Sequence, residues 1–222
     1  MEIKVLKDVL SANDAIARTN RSRLDKHNIL AINVMSSPGA GKTSLILRTI
    51  EKLKGQTRIA VIEGDVASTI DADKVGKQGV AVVQINTAGG CHLDANMTEN
   101  ALNNLPLEDI DLLFIENVGN LICPAEFALG EHKRVILLST PEGDDKPYKY
   151  PTMFIGADVV LINKIDLLPL LDFNVTSFTR VVNGLNPEGK IFQVSCKSGQ
   201  GLEDWISWLQ EQMKEIKSRH GS

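Results

Sequence analysis

The sequence contains no apolar run approaching the roughly 20 residues that a membrane-spanning helix requires. Its first residues, Met1-Glu2-Ile3-Lys4, carry no apolar core of a secretory leader. These absences predict a cytoplasmic protein with no membrane partner. Basic charge is also short: 24 Lys and Arg stand against 28 Asp and Glu, for a net charge of −4 and a pI near 5.6. With no basic stripe to displace counterions from a phosphate backbone, nucleic acid is excluded as the main partner. Three cysteines are too few for a disulfide framework, and in a reducing compartment their positions matter more than their number. No repeat, linker or low-complexity tract interrupts the chain. What is present is ordinary for a globular protein, 43% hydrophobic and 23% charged, and 222 residues suffice for one substantial α/β domain.

The apolar segments recur regularly. Strands are expected over 29–35, 58–63, 80–86, 111–116, 134–140, 158–163 and 190–195. Helical or loop-rich stretches separate most of them, notably 94–105 and 174–184. A final helix over 202–217 carries Trp205, Trp208, Leu209, Met213 and Ile216 as its buried face. Near-continuous apolar strands between helices predict a mostly parallel, seven-stranded sheet covered on both faces. Residues 1–28 read as an N-terminal helical extension on a 29–222 domain. Val9, Ala12, Ile16, Thr19 and Leu24 recur at helical spacing, and the polar run 18–26 reads as a solvated face. Ligands of such sheets bind at the carboxyl ends of the strands.

The first strand runs into Ser36-Ser37-Pro38-Gly39-Ala40-Gly41-Lys42-Thr43, followed by the helix-like Ser44-Leu45-Ile46-Leu47. Strand, small-residue loop and helix in that order form a phosphate cradle. Glycines let backbone N–H groups of residues such as Ser37, Gly39, Ala40, Gly41 and Ser44 turn inward. Lys42 supplies a point charge, and the Thr43 hydroxyl can ligate Mg²⁺. The usual P-loop pattern begins with Gly, and here Ser36 takes that position.

Late in the alternation, Val159-Val160-Leu161-Ile162 leads into Asn163-Lys164-Ile165-Asp166. A carboxylate at a strand end can accept two hydrogen bonds from the N1–H and N2–H₂ of guanine, a paired donor edge that adenine lacks. Asp166 fits that role, Lys164 can lay its stem along the base, and Ser195-Cys196-Lys197 can offer backbone N–H groups to the guanine carbonyl. GTP is therefore the expected nucleotide. At the end of the 111–116 strand, Glu116 can hold Mg²⁺ through water and Gly119 can present its N–H to a γ-phosphate. Asp65 and Asp71, near Glu63, are candidates to orient the attacking water or the metal's water shell; Asp73 reads as a cap or surface charge. The expected catalytic set is Lys42, Asp65, Asp71 and Glu116, with Thr43, Asp71 and Glu116 around Mg²⁺.

Two cysteines occupy distinctive places. Cys91-His92 follows Gly89-Gly90, and Cys123-Pro124 lies just beyond Gly119. Two thiolates and an imidazole make a soft donor set suited to Zn²⁺ or Ni²⁺, short of a closed four-coordinate site. Cys123 is four residues past Gly119, within roughly 14 Å of extended chain. Buried thiols packed as small hydrophobes, with His92 capping the next helix, would use the same residues without a metal. Cys196 reads as structural, and His27, His132 and His220 as surface residues.

Taken together, the P-loop, Glu63-Gly64-Asp65, Gly89-Gly90-Cys91-His92-Leu93-Asp94-Ala95, Glu116-Asn117-Val118-Gly119-Asn120-Leu121-Ile122-Cys123-Pro124 and Asn163-Lys164-Ile165-Asp166 resemble the HypB family of hydrogenase nickel-incorporation accessory GTPases. The resemblance runs over nearly the whole chain. It implies a GTP-dependent metallochaperone of the deviant P-loop class that delivers Ni²⁺ during maturation of [NiFe] hydrogenase. It further implies a homodimer assembled on GTP with a shared Ni²⁺ or Zn²⁺ site, for which Cys91, His92 and Cys123 would be the ligands. The hydrogenase large subunit and another nickel accessory protein would be partners. The segment 139–146 is expected near the dimer interface, with Lys146 reaching a phosphate or the partner. Many relatives carry an N-terminal Cys-x-x-Cys or His-rich tract, whereas residues 1–28 hold only His27, so nickel storage is not expected. Asn96 stands where some members carry His.

Three other readings are distinguishable. A urease-type accessory GTPase would show Cys-Pro-His, but Ala125 follows Cys123-Pro124. A P-loop kinase would carry a phosphoacceptor lid. A metal-binding scaffold with a nucleotide switch would tolerate loss of Lys42. No glutamine follows Gly119, where Asn120 and Leu121 stand, so water positioning should limit the free protein. A single-turnover assay on dilute protein is expected to show slow GTP cleavage, and fast cleavage by the monomer would contradict this.

Overall fold

A computed structural model describes residues 4–66 and 69–219, with side chains described for 10–66 and 69–218. The elements follow in chain order: α1 (Lys4–Lys26), β1 (Leu30–Ser36), α2 (Lys42–Leu53), β2 (Ile59–Asp65), α3 (Ile70–Gly76), β3 (Ala81–Asn86) and α4 (Ala95–Leu102). Then come β4 (Leu112–Glu116), β5 (Lys133–Ser139), α5 (Lys146–Lys149), α6 (Pro151–Ile155), β6 (Val159–Asn163), α7 (Val175–Leu185), β7 (Lys190–Gln193) and α8 (Leu202–Arg219). All seven expected strands form within a few residues of their predicted ends. No described helix is long and apolar enough to cross a membrane.

The sheet order is β3-β2-β4-β1-β5-β6-β7. Every pairing in it is parallel, where the sequence predicts a mostly parallel sheet. The central strands β1, β2, β4, β5 and β6 are buried almost throughout, while β3 and β7 at the edges are only partly covered. This explains why the central strands read as continuous apolar runs rather than alternating ones. On one face α2 and α8 bury Leu45, Ile46, Ile50, Trp205, Leu209 and Ile216 against Ile32, Val34, Phe114 and Val135. Each such aliphatic or aromatic side chain contributes roughly 1.5–3 kcal/mol. Trp205 is fully buried and donates its indole N–H to Thr49 Oγ1 at 2.9 Å, so its one polar atom is satisfied. The opposite face is covered by Leu24, Leu93, Ala101, Leu102 and Leu129 at one side, and by Met153, Phe154, Phe178 and Val182 at the other.

The register Val34↔Glu116 between β1 and β4 sets their carboxyl ends side by side. The P-loop leaves β1 and the Glu116–Cys123 segment leaves β4, so both emerge at one point. On the other flank β5 and β6 deliver Ser139 and Asn163 to the same edge.

Helix α1 differs from its predicted face. Its buried positions include Asn13, Ala17, Asn20 and Leu24, whereas Ala12 and Thr19 are exposed and Ile16 half-buried; Val9 lies outside the described side chains. The cause is polar. Asn13 donates to Ala128 O at 2.9 Å and accepts from Ala95 N–H at 2.9 Å. Asn20 donates to Ala95 O at 2.9 Å and Leu129 O at 3.0 Å. Leu24 is fully buried as its helical spacing predicts. The side-chain hydrogen bonds of Asn13 and Asn20 to loop backbone nevertheless turn the helix so that Ala12 and Thr19 face out, and Asn20 and Leu24 interrupt the polar run 18–26. His132 is a second correction, since its side chain is only 3% exposed. It accepts from Ala31 N–H at Nδ1 (3.1 Å) and, with its proton on Nε2, donates to Asp25 Oδ1 (2.9 Å). His220 lies outside the described residues.

Asn20→Ala leaves the Leu129 carbonyl unpaired in a buried site and strips the Ala95 carbonyl of its second donor, and is expected to cost about 1–3 kcal/mol. Urea denaturation measures this loss, and a change below about 0.5 kcal/mol would show that α1 is held by apolar packing instead.

Candidate nucleotide and metal site

The P-loop turns into α2 through Gly41, which has φ of +109°. A Cβ there would stand 2.6 Å from Asn163 Nδ2, so both the backbone angle and the space require glycine. Lys42 Nζ reaches back to Ser36 Oγ at 3.3 Å. Ser36, in the position usually held by glycine, is fully buried and donates to Ser37 O at 2.6 Å, so its hydroxyl braces the loop from within. Ser37 Oγ donates to Glu142 Oε1. The other oxygen of Glu142 accepts from Ser139 N–H and Ser139 Oγ, each at 2.6 Å. Lys146 is held within its own segment, by Glu142 O and by Asp145 Oδ1 at 3.0 Å.

The base motif gathers beside the P-loop. Asn163 is buried and bridges two loops, donating to Ala40 O at 2.9 Å and accepting from Cys196 N–H at 3.2 Å. Lys164 has φ of +60° and sends Nζ over the P-loop to Gly39 O at 2.8 Å. Asp166 Oδ1 accepts from Ser195 Oγ at 2.6 Å, which orients the carboxylate. A cavity of about 300 Å³ is lined by Gly41, Ser44, Lys164, Asp166, Cys196 and Lys197. Asn163 also lines this cavity, with Lys164, Asp166 and Leu167, while its amide ties the P-loop to the Cys196 loop.

Four carboxylates meet near the phosphate cradle. Thr43 Oγ1 donates to Glu116 Oε1 at 2.9 Å. Glu63 and Glu116 are register partners on β2 and β4, each 3% exposed. The Oε2 atom of each is buried without a hydrogen-bond partner. Burial, with Glu116, Asp71 and Asp65 nearby, pushes Glu63 up to about 8, against the pull of Lys42. Burial pushes Glu116 up to about 7, against Lys42 and the Thr43 hydrogen bond. Orphaned carboxylate oxygens next to the Thr43 hydroxyl fit a hard divalent cation such as Mg²⁺, which takes oxygen ligands and water. Asp71, in the first turn of α3, also pairs with Lys74 at 2.7 Å.

The Cys91, His92 and Cys123 ligand atoms all lie within 4.8 Å of one another. The Cys91 thiol donates to Cys123 Sγ at 3.1 Å, and its sulfur is 3.6 Å from His92 Nδ1. That hydrogen bond to Cys123 raises the Cys91 thiol above its usual range, a balance that a bound cation inverts by taking the thiolate. The His92 ring stacks on Phe127 with centroids 4.0 Å apart. The cap of α4 is Asp94, accepting from Met97 N–H at 2.7 Å, so His92 is left free of that duty.

Three residues at these sites were not singled out by the sequence. Glu63 reads only as one of several carboxylates. Glu142 sits three residues after Ser139, the spacing of a capping box, which it forms. Asn117 is a buried amide next to Glu116, a residue type without a chemical signature of its own.

A doubly covered parallel sheet, a P-loop and a Cys/His cluster at the same edge define a class: a P-loop nucleotide-binding protein with a candidate soft-donor metal site. Residues 30–193 match the CobW/HypB/UreG nucleotide-binding domain. The hydrogenase maturation factor HypB of Azotobacter vinelandii is 48% identical over 95% of this chain and 69% of its own. The probable hydrogenase maturation factor HypB of Methanocaldococcus jannaschii is 42% identical, with 97% of each chain covered. The crystal structure of HypB from Helicobacter pylori in complex with nickel superposes with a TM-score of 0.88 at 41% identity, over 92% of this chain and 96% of that one. The chain belongs to the HypB hydrogenase maturation factors of the CobW/HypB/UreG family.

Because Glu63 is raised from about 4.5 to about 8 in the fold, the stability present below pH 4.5 is lost as pH rises through 8. Glu63→Gln is therefore expected to gain stability relative to the parent, increasingly so across that window, in nucleotide-free urea titrations. A parent-to-variant difference flat in pH would contradict the burial of an uncompensated carboxyl.

Proposed function

We propose that this protein is a GTP-hydrolysing nickel metallochaperone of [NiFe] hydrogenase maturation, whose nucleotide state governs dimerisation and metal binding. The observation that carries this reading is the single short segment 116–123, which begins at Glu116, hydrogen-bonded to Thr43, and ends at Cys123, in the metal cluster. Guanine selection falls to Asp166, with Lys164 on the base and the Ser195–Lys197 loop at the carbonyl. Lys42 and the P-loop N–H groups neutralise the phosphates, and Gly119 offers its N–H where a γ-phosphate would lie. Thr43 and Glu116, with Asp65 or Asp71, would hold Mg²⁺, which supplies charge neutralisation when bound. Asp65 and Asp71 are the candidates to orient the attacking water.

Cys91, His92 and Cys123 supply three donors to the nickel cargo, or to Zn²⁺, leaving a position for water or a second copy of the chain. The segment 139–146 would lie near the interface between copies. The hydrogenase large subunit and a second nickel accessory protein are the partners this reading requires. In support, the Helicobacter pylori relative crystallised with nickel shares the fold and 41% of residues.

The test combines Ni²⁺ and Zn²⁺ titration with size measurement, in GDP and in a non-hydrolysable GTP analogue. The analogue is expected to give a dimer-sized species and a metal affinity different from that in GDP. Cys91→Ala and Cys123→Ala are each expected to lose at least about 10-fold in affinity, and variants that bind both metals as tightly as the parent would sink the proposal.

A further inference from the structure

Asn117 follows Glu116 directly and is fully buried. Its backbone N–H donates to Val34 O at 3.0 Å, extending the contact of β4 with β1 by one residue and fixing Asn117 beside the start of the P-loop. Its side chain is engaged in two directions. Nδ2 donates to Asn33 Oδ1 at 3.2 Å, and Asn33 in turn donates to Glu131 Oε1 at 3.4 Å. Oδ1 accepts from Val118 N–H at 3.0 Å and from Leu93 N–H at 3.1 Å.

Those last two bonds meet on one atom and lead to different sites. Val118 precedes Gly119, which packs so closely on the P-loop that a Cβ there would stand 3.0 Å from Pro38 Cα. Leu93 follows His92 and is itself fully buried, so the Cys91-His92 pair has little slack on that side. Nearer the cluster, Asn120 donates to Cys91 O at 3.2 Å and accepts from Ile122 N–H at 2.9 Å. The loop bearing Cys123 is thereby tied to the loop bearing Cys91. An occupant of the P-loop that moves Gly119 acts on Leu93 through the Asn117 oxygen and on Cys91 through Asn120.

We infer that Asn117 is the positioning residue that couples the P-loop to the Cys91, His92 and Cys123 cluster, its Oδ1 holding the Gly119 loop and the Cys91–Leu93 loop in one arrangement. This rests on the nucleotide-coupled metal binding proposed above and names the group that transmits it. An apolar side chain at this position strands the Leu93 N–H and removes the link that bears on the P-loop side, leaving the two loops joined at Asn120. A residue that merely supported the metal loop would instead affect metal binding equally in both nucleotide states.

The quantity to measure is the ratio of metal affinities in the GTP analogue and in GDP, using the full chain with Mg²⁺ and Ni²⁺ or Zn²⁺ alone as titrant. Couplings of this kind span about 5- to 150-fold, and Asn117→Ala is expected to bring the ratio to within about twofold of unity. Asn117→Asp, whose carboxylate still accepts from the Val118 and Leu93 N–H groups, is expected to restore the parent's ratio to within about threefold. Should Asn117→Ala lack a cooperative melt, Asn117→Thr fills similar space with one hydroxyl that cannot serve all three partners, and it carries the same expectation. An unchanged ratio in the folded variant overturns the assignment. So does an equal loss of affinity in both nucleotides. A parent ratio of unity removes the coupling proposed above and this assignment with it, whereas a parent ratio that survives in Asn117→Ala removes the assignment alone.

Discussion

The adjacency of β1 and β4 is the constraint on which both sites depend. Parallel strands in the register Val34↔Glu116 leave the P-loop and the 116–123 segment no choice but to emerge together. From that one pairing come the hydrogen bond of Thr43 to Glu116, the contact of Gly119 with Pro38, and the backbone bond of Asn117 to Val34. Slipping the pair by one residue would turn Glu116 to the other face of the sheet and dismantle all three. Five apolar residues of β1 and four of β4, nearly all inaccessible to water, hold the register.

Within that frame the phosphate end is electrostatically unfinished. Two carboxyls are buried at the register position shared by β2 and β4, each with an unpartnered oxygen, and two more acidic groups lie within electrostatic reach. Lys42 is set against the two glutamates, and Lys74 pairs with Asp71. A nucleotide alone adds negative charge to this cluster, and a divalent cation relieves it, so the arrangement favours their joint arrival. The metal end is built on the opposite principle, with polarisable sulfur and imidazole donors, one exposed and two half-buried. Hard oxygen donors at one end and soft donors at the other suit cations of different chemistry.

Much of this was legible in the residues. Buried parallel strands announce themselves as short apolar runs, so all seven appear in the sequence, and the P-loop and Asn163-Lys164-Ile165-Asp166 motifs carry their chemistry in their residue types. Spacing alone could name Cys91, His92 and Cys123 without bringing them together, because the fold closes the 32-residue gap between the thiols. The misses share a cause. The face of α1, the buried His132 and the roles of Asn117 and Glu142 all rest on side-chain hydrogen bonds to distant groups, and apolar periodicity contains no term for them. Asn13 and Asn20 look solvated in sequence because their partners, Ala95, Ala128 and Leu129, are at least 75 residues away.

Those same asparagines give α1 a mechanical meaning. Ala95 marks the far end of the loop that carries Cys91 and His92, and Ala128 and Leu129 lie beyond the far end of the segment that carries Cys123. By gripping both, the helix turns the outer ends of the two metal-bearing loops into fixed pivots. At its other end the Cys123-bearing segment packs on the P-loop through Gly119 and Pro38, whereas the Cys91-bearing loop leaves the edge strand β3.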